Sequence, residues 1–547
     1  MTAEVRAAAT AHRGPERYDV VVIGGGFAGG GFATLLRRLR PGTRILVVES
    51  GERHGRKVGE ATVEVSAFFL HRVLGLYDLL SREHLPKHGL RYWFYDRPDR
   101  RLDEMSEVGT DRLPGLPTFQ LDRSLIDEQL LGLAGEGGAE VLRPARVLAA
   151  DLGWPESRLR IAVGGDGDGE GEEREVIARW VVDASGRHAF LARRLRLRKR
   201  VEEHPTAAVW ARWDGVADMD GAGVLGADPR DPRMPHLRAA RRLATNHFCG
   251  YGWWCWAIPL SGGQTSIGVV YNKELFELPE GADLRERYLR FVMTQPGLAE
   301  ILAGARMDEE DFLSYSHLPY TTSRYADRGW ALVGDAASFL DPYYSPGLDH
   351  ASISAYATAR MIEDDLAGRL AAPGALETRL ERHNDRFLRS YPRWLHALYV
   401  GKYEIMGDAE LTGAAFMVDT ALYYMGVVTP VYQKVDNLQE PVFGGPHAAA
   451  EWIWRATRGF NRRLVRIARF RRQAGLYGRR NSGWRGLSDP PGLRLGGLPM
   501  LCRGLAIWLR AEAGYLRHRL RHGRLDLSHP VPEAAAPALG APAGAPS

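Results

Sequence analysis

The feature that most constrains this 547-residue chain is Gly24-x-Gly26-x-x-Gly29. It follows YDVVVI (18–23), a short β-branched run that reads as a buried strand, and it opens a helix pattern with apolar and basic faces. In that setting each glycine has a task. Gly24 permits the tight turn, Gly26 lets the backbone approach a pyrophosphate, with Ala28 beside it, and Gly29 lets helix and strand pack closely. A second apolar strand, RILVVE (44–49), completes a βαβ unit. It ends in Glu49, twenty residues beyond Gly29, where an acid can accept hydrogen bonds from a ribose. The unit predicts dinucleotide binding.

Further along, WVVDASG (180–186) and WALVGDAA (330–337) are apolar strands that end in small residues where helices can begin. Residues 200–325 are β-rich, with AAVWARW, GWWCWAIPL and TSIGVVY, and predict an antiparallel sheet. Residues 350–425 read as helical, and 450–475 and 498–523 as basic amphipathic helices. The segment 164–176 is an acidic hairpin excursion. The end of the chain, HPVPEAAAPALGAPAGAPS, has the composition of a disordered tail.

Composition limits the function classes. No run reads as an uninterrupted transmembrane helix, the N-terminus lacks the apolar core of a signal peptide, and three cysteines without CxxC spacing argue against a disulfide framework or a metal site. A reducing cytoplasm is expected. The net charge of +5 hides an asymmetry: residues 455–524 hold eighteen Arg, no Lys and two acids. This stretch is either a solvated set of helices or a surface for an acidic partner or an anionic membrane. No base-reading module points to nucleic acid. The whole chain has 66 Arg against 6 Lys, which singles out each lysine in a chemically loaded position.

The strand-end motifs with Asp183 and Asp335, together with Arg123 in TFQLDRSLID, resemble the later fingerprints of the FAD-dependent hydroxylase superfamily. Trp254-Cys255-Trp256-Ala257-Ile258-Pro259 matches the WxWxIP signature of flavin-dependent halogenases, and Gly59-Glu60-Ala61-Thr62 matches their VGE(A/S)T loop. Over residues 18–425 the chain resembles that family.

The resemblance implies an α/β fold: a Rossmann-like FAD-binding domain of the hydroxylase type, an inserted, mainly antiparallel β substrate domain, and a helical C-terminal region. The expected boundaries are a disordered 1–17, a discontinuous FAD domain at 18–199 and 325–365, a substrate domain at 200–324, helices at 366–525 (Arg-rich from 455), and a disordered 526–547. It implies that Gly24, Gly26, Ala28, Gly29, Glu49, Gly59, Glu60, Ala61, Arg123 and Asp335 hold FAD. The FAD would be reduced by a separate flavin reductase. With O2 and a bound chloride or bromide it yields hypohalous acid, which reaches a lysine through a tunnel. Lys87, in HLPKHGLRYWFYD, stands where the family places that lysine. An ammonium can donate a hydrogen bond to hypohalous acid, and a neutral amine can be chlorinated. Trp254, Trp256 and Pro259 form the tunnel wall, which keeps organic substrate from the flavin.

The loop Asp341-Pro342-Tyr343-Tyr344-Ser345-Pro346-Gly347 departs from the family in two places. Tyr344 replaces the glutamate of tryptophan halogenases, which places the chain nearer to the halogenases of phenols and pyrroles, whose substrates are free or bound to a carrier protein. Pro346 replaces Thr or Ser and offers no N–H, leaving Gly347 and Leu348 as halide donors. An FAD-dependent monooxygenase or dehydrogenase of the same fold therefore stands as an alternative, as does a flavin-binding docking module.

Overall fold

The computed structural model describes residues 15–164, 172–221, 239–522 and 525–530. The disordered N-terminus, the acidic excursion and the tail expected above fall wholly or largely outside them.

One sheet is built on the opening strand, Glu16–Ile23. It lies between Ile45–Val48 and Glu172–Asp183, parallel to both. Glu140–Leu142 and Trp330–Leu332 extend the parallel set on either side. Val20, Val21, Val22, Leu46 and Val47 are fully buried. The central strands are continuously apolar rather than alternating, as buried parallel strands are. The helix Phe27–Leu39 crosses one face and packs against Arg123–Glu136 and Pro346–Leu366. The antiparallel strands Ser157–Val163 and Ala145–Asp151 attach to the lower part of Glu172–Asp183.

The second sheet has nine strands and is mainly antiparallel. Its centre is Thr206–Asp214, Thr265–Asn272, Trp253–Pro259 and Thr245–Gly250. It also reaches beyond residues 200–324. Leu90–Phe94 joins Thr245–Gly250 in parallel, Ser106–Thr110 follows, and Arg485–Ser488 closes that edge. Burial is the reason: Tyr92, Trp93 and Phe94 are fully buried and need cover on both faces of the sheet. The C-terminal helices provide it on one side. Ala409–Tyr423 packs beneath Ser106–Thr110, and Ala448–Gln473 and Leu498–His522 lie outside it. The stretch Ala409–Gln433 is long and apolar enough to cross a membrane, contrary to the sequence expectation, but 67% of its apolar 18-residue window is buried inside the protein.

The tryptophan strand obeys the two-residue period of a sheet. Trp253, Cys255 and Ala257 join a core with Tyr288 and Phe291 on one face. Trp254, Trp256 and Ile258 join Tyr92, Tyr343 and Tyr403 on the other. Each outer indole lies over a cross-strand glycine. Trp256 pairs with Gly268 and Trp253 with Gly250. A Cβ at Gly268 would lie 2.1 Å from the Trp256 ring, and one at Gly250 would lie 2.2 Å from the Trp253 ring. Replacing Gly268 by Val must therefore displace Trp256. The expected cost is about 3 kcal/mol, read as a lower urea midpoint with an altered near-UV circular dichroism spectrum.

Candidate active site

A cavity of about 740 Å³ runs between the two sheets. Its first wall is the glycine turn. Gly24 has φ +95°, and a Cβ on Gly29 would fall 1.9 Å from the Gly24 carbonyl oxygen, so both positions require glycine. Gly26 caps the first helix and lines the cavity with Ala28, while Gly29 is buried in the packing beneath. Glu49 lines the cavity at its strand end. Its carboxylate accepts from the Gly25 amide at 2.7 Å and the Gly51 amide at 3.0 Å. Burial works to raise its pKa, but these two amides outweigh it and hold the group below its ordinary value.

Arg123 opens its helix behind the N-cap Asp122. Its guanidinium donates to both Asp127 oxygens at 3.0 and 3.1 Å and to the Val58 carbonyl at 2.9 Å. Lys57 pairs with the same Asp127 at 2.7 Å. This cluster lies against Gly26, where an added Cβ would meet Asp127 at 3.1 Å and Lys57 at 3.5 Å. Gly59 has φ +91° and its missing side chain leaves room for Arg123. Asp335 faces Arg187, Arg123 and Lys57. Burial raises its pKa and these three cations oppose that rise. A bare glycine turn at a helix N-terminus, an acid at the second strand end and a second acid among cations fit the pyrophosphate, ribose and ribityl chain of FAD.

Glu60, beside Gly59, sits in a buried ion cluster absent from the sequence reading. Arg212, on the strand Thr206–Asp214, donates to Glu60 at 3.2 Å and to both Asp122 oxygens at 2.9 and 3.0 Å, and its amide donates to Asp311 at 3.1 Å. Burial pushes Glu60 up to about 7 despite Arg212. Ala61 continues this loop along the cavity wall.

The far wall combines Trp254 and Trp256 with the loop 341–347. Tyr344 and Ser345 are left-handed, with φ of +70° and +55°, a costly conformation for residues with side chains. Contacts on every side hold the loop. Asp341 accepts from the Tyr343 amide, from the Tyr403 hydroxyl and at His204 Nε2, each at 2.9 Å. Tyr403 in turn accepts from the Trp254 indole N–H at 3.1 Å. The Tyr344 hydroxyl donates to Asp419, which also pairs with the buried Lys402 at 2.7 Å. Pro346 occupies the first helical position, where its missing N–H costs no helix bond. Gly347 and Leu348 follow it and line the cavity.

Lys87 is buried between Leu85–Pro86 and Leu90–Phe94 and donates to the Thr62 carbonyl at 2.7 Å. It does not line the cavity; its neighbour His247 does. His247 stacks on Tyr92 at 4.6 Å and leans on Trp254 at 5.2 Å. Burial lowers Lys87 to about 8, with Glu64 and Asp349 pulling it back up. Asp349 accepts from the Ser66 amide at 2.8 Å and the Tyr423 hydroxyl at 2.7 Å, and burial raises it to about 7. Pro259 ends the tryptophan strand, half-buried and outside the cavity. The residues that the sequence did not single out, Asp127, Arg212, His247 and Asp349, are ordinary polar side chains without a motif. Only their buried surroundings mark them.

Residues 17–219 match a family model described as an FAD binding domain. The flavin-dependent halogenase chlA of Dictyostelium discoideum is 27% identical over 444 residues, which cover 76% of this chain and 70% of that protein. The 1H-pyrrole-2-carbonyl-[peptidyl-carrier protein] chlorinase of Pseudomonas fluorescens is 28% identical over 62% of this chain and 74% of its own. Among solved structures, halogenase PltM in complex with phloroglucinol and FAD superposes with a TM-score of 0.66 at 17% identity, covering 91% of this chain and 96% of that one.

Two outcomes are expected. Gly29→Ala drives a methyl group into the Gly24 carbonyl, so the purified variant should lose flavin absorbance relative to the parent after reconstitution. Asp349 in the folded chain keeps its proton up to about pH 7, whereas the unfolded chain releases it near 3.8. Its contribution to stability is therefore complete below about pH 4 and lost as pH rises through 7. Urea midpoints at pH 5 and pH 8 should differ less in Asp349→Asn than in the parent.

Proposed function

We infer that the chain, which belongs to the flavin-dependent halogenases, uses reduced FAD, O2 and chloride or bromide to halogenate an electron-rich aromatic or pyrrolic substrate. The observation that carries this reading is that Trp254, Trp256, Gly347 and Leu348 line the same cavity as the glycine turn, with buried Lys87 beside His247. Reduced FAD, delivered by a separate reductase, would supply the two electrons that reduce O2 to the peroxide level, and that oxidant would convert halide into hypohalous acid.

The chain's own residues do the rest. The Gly24–Gly29 turn and the first helix hold the pyrophosphate, Glu49 the ribose and Asp335 the ribityl chain. Gly59, Glu60 and Ala61 form the loop beside the ring, and Arg123 braces that loop through the Val58 carbonyl. The Gly347 and Leu348 amides, at the start of their helix, would offer N–H groups to a halide, as Pro346 cannot. Trp254 and Trp256 are nearly inaccessible, and their indole N–H groups are bonded to Tyr403 and Ser266. They fill by volume the space an aromatic substrate would need to reach the ring. A hypohalous acid is small enough to pass.

Lys87 receives it. Its pKa near 8 leaves both forms populated close to neutral pH: an ammonium that donates a hydrogen bond and an amine that accepts the halogen. Tyr344, at the position of the tryptophan enzymes' glutamate, has its hydroxyl committed to Asp419. The site thus provides no carboxylate at that position to assist a poorly activated ring, which favours phenols and pyrroles. The similarity to a chlorinase of a carrier-bound pyrrole supports the same substrate class, free or carrier-bound.

With a flavin reductase, O2, bromide and an electron-rich phenol, the parent should brominate the phenol. Lys87→Ala and Lys87→Arg should retain FAD yet brominate at least about a hundredfold more slowly, a loss of about 2.7 kcal/mol of transition-state stabilisation. Hydroxylation that proceeds without halide would instead establish the monooxygenase alternative. NADPH oxidation without the reductase would exclude the two-component arrangement.

A further inference from the structure

The C-terminal helix Leu498–His522 buries one face and leaves the opposite one uncovered among the described residues. Met500, Ile507, Ala511 and Tyr515 pack inward. At about 100° per residue, Leu498, Leu509, Leu516 and Leu520 fall within an arc of about 40°, opposite the buried face. Their exposures are 39, 58, 52 and 88%. Cys502, Ala506 and Ala513 fill the gaps between them and are also exposed. The line is about 33 Å long at 1.5 Å per residue. Leu495, just before the helix, adds another apolar side chain at 71% exposure. A patch of this kind on a protein surface marks a contact.

Charge defines the contact. Arg503, Arg510, Arg517 and Arg521 are exposed along one flank of the leucine line, the first three a heptad apart. The only acid of the helix, Glu512, is turned toward Arg463 of the neighbouring helix at 2.7 Å. That neighbour, Ala448–Gln473, exposes Arg462 and Arg466, while its Arg455 pairs with Glu451 at 2.9 Å. Among the described residues, the last helix therefore offers leucines and guanidinium groups with its one carboxylate already engaged by Arg463. A second copy of the same helix would bring its own arginines and no acid to meet them.

We propose that this face lies on an anionic phospholipid surface, with the leucines entering the acyl boundary and the arginines bonded to headgroup phosphates. A straight apolar line running the length of a helix suits a planar, deformable surface, because a small rigid partner would have to be concave along 33 Å to cover it. Arginine at the flank reaches phosphate with paired N–H donors while its stem covers apolar surface. The proposal rests on this helix alone and does not depend on the halogenase reading.

The test is sedimentation of the full chain with 100-nm vesicles, one set of phosphatidylcholine and one containing about one-third phosphatidylglycerol. The parent should bind the anionic vesicles, release them at high salt and ignore the neutral ones. Arg510→Gln with Arg517→Gln should weaken binding about 25-fold, roughly fivefold per arginine, and Leu516→Glu with Leu520→Glu should abolish it. Both double variants should keep flavin absorbance and thermal midpoint, because the changed side chains point outward. Failure of the parent to bind anionic vesicles overturns the proposal, as does binding that neither double variant alters. So does a dimer in sedimentation velocity that Leu516→Glu with Leu520→Glu dissolves, which would assign the face to a second copy. Capture of an acidic carrier protein through these residues without vesicle binding would assign it to that partner instead.

Discussion

One guanidinium ties the second sheet to the loop and the helix that flank the cavity. Arg212 belongs to the second sheet, yet it is bonded to Glu60 in the loop beside the cavity and to Asp122 at the head of the Arg123 helix. Burying an ion costs several kcal/mol, and removing one member of a buried cluster leaves the others uncompensated at a cost of about 3–5 kcal/mol. The arrangement is therefore all or nothing. On either side of Glu60, Gly59 lies against Arg123 and Ala61 lines the cavity. The Rossmann-like half and the second sheet thereby share one frame.

Much of that frame is legible in the sequence because its demands are local. A pyrophosphate requires glycines at fixed spacing between a strand and a helix, and Gly24, Gly26 and Gly29 sit at that spacing. The two-residue period of a strand likewise sets Trp254 and Trp256 on one face and Trp253 on the other. What depends on distant pairing leaves no local mark. Leu90–Phe94 finds its partner at Thr245–Gly250, and Ser106–Thr110 finds one at Arg485–Ser488. Nothing in either segment names the other. The same holds for Asp341, whose partners His204, Tyr403 and, through Tyr403, Trp254 come from three separate stretches.

The arginine-rich segment shows how composition misleads in a particular way. Several of its charges are spent inside the protein. Arg471 is buried against Asp408 and Glu410, and Arg469 is bonded to Glu404. Those acids precede residue 455, so counting charge along the chain separated partners that the fold unites. What is left outside is a smaller, ordered set of arginines beside the leucine line of the last helix.

The indole of Trp256 occupies the space a side chain at Gly268 would need. Neither position can be read alone. The two form one unit of inheritance in which bulk on one strand is balanced by its absence on the other. A lineage could exchange the pair, or lose the ring and gain a side chain opposite, only by passing through a clash or a void. This part of the cavity wall is thus held in place historically as well as sterically.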